Sequence, residues 1–376
     1  MLEIEKNNFS ESKETTLPET PHILVIGVGG GGNNAICRMI ESNQQNSSQQ
    51  VSYAVMNTDL QVLNNCNAEY KIQIGKKLTN GFGAGGDPAI GEASAQESKD
   101  EIASLIKDYH MVILTCGMGG GTGTGAISVI AEICRTANIL TVAVVTLPFS
   151  FESKPRIIAA ESGIETLKKN VDTLLIIPND KLLTYSSKPF YLEDAFQTAD
   201  TVLNHTITGI TNILYNRGII NLDFNDLKMT LSNKGIAHLG IGTCTQDSPI
   251  LEAVKTAIDS PLLNTTINGA TNILINSSGR LNLSDLNEAI SYVRELAGEN
   301  VNIIWGTVTD TAQKNDQIII TLIATGMDKI TPPLKQPLQP TATAKKRSNL
   351  PPVPPKIIMP DKDIIIPSFL INKMTK

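Results

Sequence analysis

An α/β fold built on a parallel sheet is predicted by three features of this 376-residue sequence. In the first half, short and almost continuously apolar runs alternate with helical patterns, which is typical of a parallel sheet covered on both faces. Glycine runs follow the ends of several of these strands. Beyond residue 218 the order changes to mixed helices and strands, which indicates a second, smaller α+β domain.

The strands and helices of the first half follow one another in a regular order. We expect strands over 22–28, 51–56, 110–116, 139–146 and 173–177, and helices over about 34–42, 89–107, 126–137 and 155–170. Ligands of such sheets bind at the carboxyl ends of the strands. The first half is therefore predicted to be a Rossmann-like domain whose glycine loops face one crevice.

A long central helix separates the two halves. Apolar residues recur at helical spacing from Leu192 to Asn216, and Arg217-Gly218 ends the pattern in the manner of a C-cap. Helices near 249–259 and 285–297 and strands near 270–276, 302–308 and 317–325 are expected beyond it. The predicted domains are a disordered extension (1–20), a ligand-binding domain (21–191), the connecting helix (192–218) and the α+β domain (219–328).

Residues 117–125, Gly-Met-Gly-Gly-Gly-Thr-Gly-Thr-Gly, carry the strongest functional signal. They lie between a predicted strand and a predicted helix, where glycines permit positive φ and leave space for a ligand. The free amide groups and the dipole at the start of a helix favour phosphate. Alanine follows Gly125, so the lysine of an ordinary P-loop is missing. The run predicts a polyphosphate site of another kind.

A dinucleotide-dependent oxidoreductase is the main alternative. Gly27, Gly29 and Gly32 follow a predicted strand with the spacing of the dinucleotide-binding pattern, which alone would favour NAD or FAD. That pattern does not explain the run at 117–125 or a further glycine loop at 83–86. The sequence also has no evident pair of residues for hydride transfer.

The run Gly119–Gly125 resembles the signature of the tubulin/FtsZ family of GTPases, and residues 22–328 and 361–371 resemble its bacterial cell-division members. The resemblance implies that GTP or GDP binds, with Mg²⁺ on ligands that the sequence does not identify. Asn33 stands where the family more often has glycine. The residues implied to surround the phosphates are Gly30, Gly31, Gly32, Asn33, Asn34, Gly83, Ala84, Gly85, Gly121, Thr122 and Gly123.

The same resemblance assigns the nucleoside. Glu152 and Arg156 would contact the ribose, and Asn179, Phe196 and Asp200 would form the guanine site. The chemistry agrees, because an aromatic face can stack on a base and a carboxylate can accept from the N1–H and 2-amino groups of guanine. Each residue also has a structural alternative: Phe196 could belong to the core, and Glu152 with Arg156 could be a surface i,i+4 pair.

The catalytic residues are implied to lie far away in the sequence. Taken alone, Asp223 and Asp226 precede a helix from Leu227 onward and would cap it. The resemblance implies instead that Asn221, Asp223 and Asp226 enter the nucleotide pocket of the next subunit and polarise the attacking water. Hydrolysis would then require head-to-tail polymerisation. A filament protein for DNA partitioning or cell shape, or a member that does not hydrolyse GTP, is the second alternative.

The last part of the chain has the composition of a disordered tail. Residues 329–376 contain ten of the nineteen prolines and the basic stretch 345–347. We expect a linker (329–360) followed by a docking peptide (361–376). The resemblance implies that this peptide binds membrane-anchor and regulatory division proteins through Asp363, Ile365, Pro367, Phe369 and Leu370.

Charge and apolar content restrict the compartment and the partners. The net charge of −6 disfavours nucleic acid as a partner. No apolar run approaches the roughly 18 residues of a membrane span, and from the polar start we expect no signal peptide. We therefore expect a cytoplasmic protein, which the resemblance locates at the division site on the inner face of the membrane. The five cysteines lack metal-ligand spacing and are expected to be free thiols, mostly buried, in a reducing compartment.

Overall fold

A seven-stranded parallel sheet forms the first half of the protein in the computed structural model. Its strands pair in the order β3-β2-β1-β4-β5-β6-β7, and each neighbouring pair is parallel. The strands are β1 (Ile23–Val28), β2 (Val51–Asn57), β3 (Tyr70–Gln73), β4 (Met111–Gly117), β5 (Leu140–Leu147), β6 (Thr173–Pro178) and β7 (Gly235–Ile236). Every residue of β1 is buried, as its continuous apolar sequence predicts.

Helices cover both faces of this sheet. They are α1 (Gly29–Asn43), α2 (Leu60–Asn64), α3 (Lys76–Thr79), α4 (Pro88–Glu97), α5 (Lys99–Ile106), α6 (Gly121–Thr136), α7 (Lys154–Leu167), α8 (Leu192–Tyr215) and α9 (Phe224–Leu231). One apolar core lies between the sheet and α5, α6 and α7, and a second lies between the sheet and α1, α8 and α9. Helix α1 begins directly after β1, and α6 begins four residues after the end of β4, so both helix starts lie at the carboxyl ends of strands.

A four-stranded mixed sheet follows. It consists of β8 (His238–Thr245), β9 (Asn272–Ser278), β10 (Asn302–Val308) and β11 (Gln317–Thr325), in the order β10-β9-β11-β8. Strands β9 and β10 are parallel, and β11 is antiparallel to β8 and β9. Helices α10 (Ile250–Ile258) and α11 (Leu283–Ala297) share an apolar core with this sheet. The predicted fold class is confirmed.

The structure describes residues 20–43, 51–181, 191–215, 220, 222–245, 248–259, 265–279, 282–308 and 317–327. All of them belong to one unit, Met1–Pro332. The second unit, Pro333–Lys376, lies outside the described residues, as do nearly all of the predicted N-terminal extension and the predicted linker and docking peptide. Among the described helices, including the 24-residue α8, none combines the length and the apolar character that a membrane crossing requires.

Several element boundaries differ from the prediction. The expected helix over 89–107 is two helices, α4 and α5, which meet at Ser98, whose amide donates to the carbonyl oxygen of Ala95 (3.2 Å) and whose hydroxyl accepts from the amide of Gly75 (3.2 Å). Helix α1 begins at Gly29, five residues before the expected start, and α9 begins at Phe224 rather than Leu227. The short elements β3, β7, α2 and α3 and the strand β8 were not predicted.

The expectation that all five cysteines are free thiols is wrong. Cys37 on α1 and Cys66, which follows α2, form a disulfide with their Cα atoms 5.5 Å apart. Their separation of 29 residues gives no sequence signal for the pairing, which depends on α1 and α2 lying side by side. Cys116 and Cys134 are buried free thiols, and burial raises the pKa of both.

Candidate nucleotide site

A cleft of about 490 Å³ opens at the carboxyl edge of the parallel sheet. It lies where α1 follows β1 and α6 follows β4, so two helix N-termini point their free amides into it. Predicted site residues form much of its lining: Gly30, Gly31, Asn34, Gly121, Thr122, Gly123, Glu152, Arg156, Asn179, Phe196 and Asp200. The cleft thus brings together residues spread over about 170 positions of the chain.

The two glycine loops are in direct backbone contact. Gly29 has φ +70°, and a Cβ atom at this position would lie 2.7 Å from the amide nitrogen of Gly123. A Cβ on Gly31 would lie 3.2 Å from the amide nitrogen of Gly117. Only glycine allows this approach at Gly29. As a result, the starts of α1 and α6 converge and concentrate amide donors at one end of the cleft.

The loop containing Gly83, Ala84 and Gly85 does not line the cleft but packs behind it. A Cβ on Gly121 would lie 2.8 Å from the amide nitrogen of Asp87 and 3.0 Å from the Cβ of Ala84. This loop therefore supports the first turn of α6. The contact with the phosphates that the resemblance implies for this loop remains a prediction.

Asn33 and Gly32 also lie behind the cleft wall. Asn33 is fully buried; with its amide nitrogen turned toward the loop, it donates to the carbonyl oxygens of Gly27 and Gly29 (3.0 Å each) and accepts from Asn57 (3.3 Å). A Cβ on Gly32 would lie 2.4 Å from the carbonyl oxygen of Thr115. Both residues shape the first glycine loop from behind, so contact with a ligand by the Asn33 side chain is not what the structure favours.

Glu152 holds the side of the cleft in place. Its Oε2 lies 2.6 Å from Nη1 of Arg156, and its Oε1 accepts from the amide of Phe149 at 2.9 Å. The i,i+4 pair considered from the sequence therefore exists, and it lies in the cleft wall rather than on a remote surface. The neighbouring amide of Ser150 donates to Oδ1 of Asp180 (2.8 Å).

An open aromatic ring and an unsatisfied acceptor lie at the other end. Phe196 is 41% exposed and meets the ring of buried Phe149 edge to face at 5.4 Å, so it is not a core residue. Asn179 is 5% exposed, and its Oδ1 has no hydrogen-bond partner among the described residues. A buried acceptor without a donor is costly, which makes this oxygen suited to a ligand that donates.

Asp200 is the charged group at this end of the cleft. Its Oδ2 lies 2.9 Å from Nη1 of Arg38 on α1, and its side chain is 13% exposed. Burial raises the pKa of Asp200 to about 6, and the positive charge of Arg38 acts in the opposite direction. The carboxylate is thus ionised at neutral pH but poorly solvated, so a donor from a ligand would stabilise it.

Asp223 and Asp226 lie away from the cleft. The amide of Asp226 donates to Oδ1 of Asp223 (2.8 Å), and the amide of Asp223 donates to Oδ2 of Asp226 (3.2 Å), which forms a capping box on α9. The adjacent Phe224 ring meets the ring of His110, which immediately precedes β4, at 6.2 Å. The acidic pair therefore lies at the amino edge of the sheet. Asn221 lies outside the described residues.

Sequence reasoning missed some residues that shape the site. Thr58 is fully buried, and its hydroxyl bonds that of Thr122 at 2.7 Å, so it fixes the second glycine loop. Its position directly after β2 was the available signal, because side chains that follow parallel strands gather at one edge. Arg38 gave no such signal. In the part of the chain that the structure describes, no group of three or more His, Cys, Asp or Glu residues could hold a metal ion.

Fold and cleft together have the features of an α/β protein of the phosphate-binding class, with helix N-termini and glycine loops at the carboxyl edge of a parallel sheet. Comparison with known proteins then gives the family. Residues 22–187 match the GTPase domain of the tubulin/FtsZ family, and residues 235–328 match the C-terminal domain of the FtsZ family.

Solved structures agree with this match. An FtsZ dimer from M. jannaschii, described as empty, is 42% identical with a TM-score of 0.75, covering 82% of this chain and 89% of that chain. Two CetZ proteins from Haloferax volcanii share the fold at lower identity. CetZ2, as a GTPγS-bound protofilament, is 18% identical (TM-score 0.71, 83% and 95% coverage), and GDP-bound monomeric CetZ1 is 19% identical (0.72, 83% and 96%). The chain belongs to the tubulin/FtsZ family of cytoskeletal GTPases.

Proposed function

We propose that this chain binds and hydrolyses GTP and polymerises head to tail into the filaments of the bacterial division ring. One observation carries the proposal: the cleft lies at the carboxyl edge of the parallel sheet, and Asp223 and Asp226 lie at its amino edge. A repeated head-to-tail contact brings one subunit's acidic pair to the next subunit's cleft. The dimer of the M. jannaschii relative and the protofilament of CetZ2 are in keeping with such a contact.

The cleft suits GTP at both ends. The converging starts of α1 and α6 offer amide donors for the phosphates. These amides would bind the phosphate charge that a lysine binds in an ordinary P-loop. Magnesium would be held largely by the phosphates, as is common for nucleotide sites. At the other end Phe196 offers a ring for stacking, and Asp200 and Asn179 offer acceptors for the N1–H and 2-amino groups of guanine. Adenine has no such pair of donors.

The acidic pair suits catalysis from the neighbouring subunit. Within the described residues, Asp223 uses Oδ1 and Asp226 uses Oδ2 in the capping box, and Asp223 is exposed. The capping bonds already fix the direction of both carboxylates in the free subunit. Binding of the next subunit therefore costs no further conformational entropy in these two side chains. Their other oxygens would orient and polarise the attacking water, and Asn221 would complete the loop.

The setting of the filament is part of the same proposal, and it is supported by the family and by the composition of the tail. We propose a cytoplasmic filament on the inner face of the membrane at the division site. Membrane-anchor and regulatory division proteins would bind the docking peptide through Asp363, Ile365, Pro367, Phe369 and Leu370, all outside the described residues.

The variant Asp223→Asn tests the catalytic role without removing the helix cap, because asparagine caps as well as aspartate. We expect unchanged GTP binding and a fall in turnover of about 10²-fold or more, as for other losses of transition-state electrostatics. Asn282→Ala is the matched control: it removes the N-cap of α11, whose side chain accepts from Ser284, and should leave turnover per subunit unchanged. Full turnover in Asp223→Asn would refute the role.

A mixing experiment tests whether the site lies between subunits. Asp223→Asn subunits keep a normal cleft, and Asp200→Asn subunits, whose clefts bind GTP weakly and contribute little turnover at a limiting GTP concentration, keep a normal acidic pair. In a random equimolar copolymer about a quarter of the contacts join a normal cleft to a normal pair, so about a quarter of wild-type turnover should return. Co-sedimentation checks that both variants enter the filament. Copolymers without recovered turnover would mean that cleft and acidic pair do not act across subunits.

A further inference from the structure

Arg38 is the residue of this region that the proposed function does not use. It does not line the cleft, yet its Nη1 lies 2.9 Å from Oδ2 of Asp200. The contact is an ion pair rather than an aligned hydrogen bond, since Nη1 of Arg38 has no hydrogen-bond partner among the described residues. The guanidinium therefore holds one oxygen of the carboxylate by charge from the side of α1.

We propose, on the basis of the proposed function, that Arg38 is a positioning residue for guanine recognition: it holds Asp200 ionised and oriented so that the carboxylate accepts from the base. Arg38 acts through Asp200 and does not itself need to touch the nucleotide. Its effect is on which protonation state of Asp200 meets the ligand.

The surroundings of Asp200 make this support necessary. Helix α8 packs against α1 and β5, and β5 carries no charged residue. The charged groups on α1 are Arg38 and Glu41, and those of the cleft wall are Glu152 and Arg156, which pair with each other. Of these, Arg38 is the one whose charge shifts the pKa of Asp200, and it opposes the larger effect of burial.

The sign of the pH dependence follows from this balance. A protonated carboxyl loses one acceptor and its charge, so it receives the guanine donors less well. With the pKa of Asp200 at about 6, affinity for GTP should fall about twofold between pH 8 and pH 6 from this group alone. Loss of an adjacent opposite charge raises a carboxyl pKa by about one unit or more, which would increase the fall to about tenfold.

Helix α1 also links this effect to the phosphate end. Gly30, Gly31 and Asn34 in its first two turns line the cleft, and Arg38 lies one further turn along. A helix is stiff over this length of about 10 Å. The element that offers amides to the phosphates thus carries the charge that prepares the base-reading carboxylate.

The experiment measures GTP affinity by calorimetry at pH 8 and pH 6 for the wild type, Arg38→Met and Arg38→Lys. Each variant's ratio of affinities is divided by that of the wild type, which removes the titration of the nucleotide's own phosphates. We expect this normalised ratio to be about five for Arg38→Met and close to one for Arg38→Lys. Arg156→Met is the matched control: it removes a cleft cation not paired with Asp200, so it should lower affinity without changing the ratio.

Two outcomes separate this inference from the proposed function. In Asp200→Asn, adding Arg38→Met should not change the pH ratio, because no carboxyl remains to titrate. A wild-type ratio in Arg38→Met, or an unchanged Arg38→Met effect in the Asp200→Asn background, would overturn the inference. Absence of GTP binding by the wild type at pH 8 would instead overturn the proposed function. Thermal unfolding of each variant at both pH values checks that the fold is intact.

Discussion

The two edges of the parallel sheet treat their polar side chains in opposite ways. At the carboxyl edge, Asn179 keeps a buried oxygen without a hydrogen-bond partner among the described residues, and burial raises the pKa of Asp200 to about 6. At the amino edge, Asp223 and Asp226 satisfy each other's amides, and Asp223 is exposed while Asp226 is half-buried. The carboxyl edge has a buried acceptor without a donor, whereas the acidic pair at the amino edge is already hydrogen-bonded.

This difference indicates where binding energy and where catalytic effect should arise. Unmet buried acceptors cost free energy in the free protein, and a donating ligand offsets that cost, so the carboxyl edge favours ligand affinity. Groups that are already fixed and solvated gain little from a ground-state ligand. They can act in the transition state, where charge develops. Substitutions at the two edges should therefore change different measured quantities.

The largest effect, a loss of stability, is expected from Gly125→Ala, which disrupts the packing of α4 on α6 beside the carboxyl edge. A Cβ at Gly125 would lie 1.9 Å from the carbonyl oxygen of Pro88 and 2.6 Å from the amide of Glu92, so α4 and α6 would have to separate. We expect the free energy of unfolding to fall by about 3 kcal/mol or more, measured by urea denaturation.

Gly30→Ala is the control for that variant. Gly30 lines the cleft, and an added Cβ would meet no atom within 4 Å. It should leave the unfolding free energy nearly unchanged and weaken GTP binding. If both variants unfold alike, the close contact between α4 and α6 is not the cause.

A smaller effect is expected from Asn179→Ala. Removing the unsatisfied oxygen should not lower the free energy of unfolding, because a buried acceptor without a partner costs free energy in the free protein. Affinity for GTP should fall about tenfold, which corresponds to one lost hydrogen bond of about 1.4 kcal/mol. Calorimetry at pH 8 provides the measurement. Undiminished affinity would show that this oxygen does not contact the nucleotide.

The smallest effect is expected at the amino edge. Asp223→Ala removes the N-cap of α9 and should lower the free energy of unfolding by about 1 kcal/mol, whereas Asp223→Asn should change it by only a few tenths. Both should lose hydrolysis alike. If Asp223→Asn kept more turnover than Asp223→Ala, in parallel with its higher stability, the catalytic effect would come from the helix cap and not from the carboxylate.

The sequence was informative wherever one local pattern determined the structure. Continuous apolar runs predicted β1 and β4 because strands buried on both faces need no alternation. Glycines after strand ends predicted the cleft because parallel strands deliver their following loops to one edge. The long periodic pattern of α8 was likewise predicted to within a residue of its observed end.

Elements that depend on tertiary contacts were not predictable in this way. Strand β8 contains Gly240 and Gly242, which weaken a strand pattern, yet a Cβ on either would lie within 2 Å of a carbonyl oxygen of α10. These glycines are required by the close packing of α10 on β8, and the sequence gives no sign of that packing. The Arg38–Asp200 pair and the Cys37–Cys66 disulfide are of the same kind, since each joins segments brought together only by the fold.

The last turn of α9 has a mechanical consequence. The hydroxyl of Thr173, from the seven-stranded sheet, donates to the carbonyl oxygen of Leu231 (2.5 Å), and that of Thr325, from the four-stranded sheet, donates to the carbonyl oxygen of Thr230 (2.7 Å). Two adjacent carbonyls of one short helix are thus hydrogen-bonded to two different sheets. Helix α9 links the two sheets, so a rotation of one sheet against the other would displace the acidic pair at the opposite end of the helix.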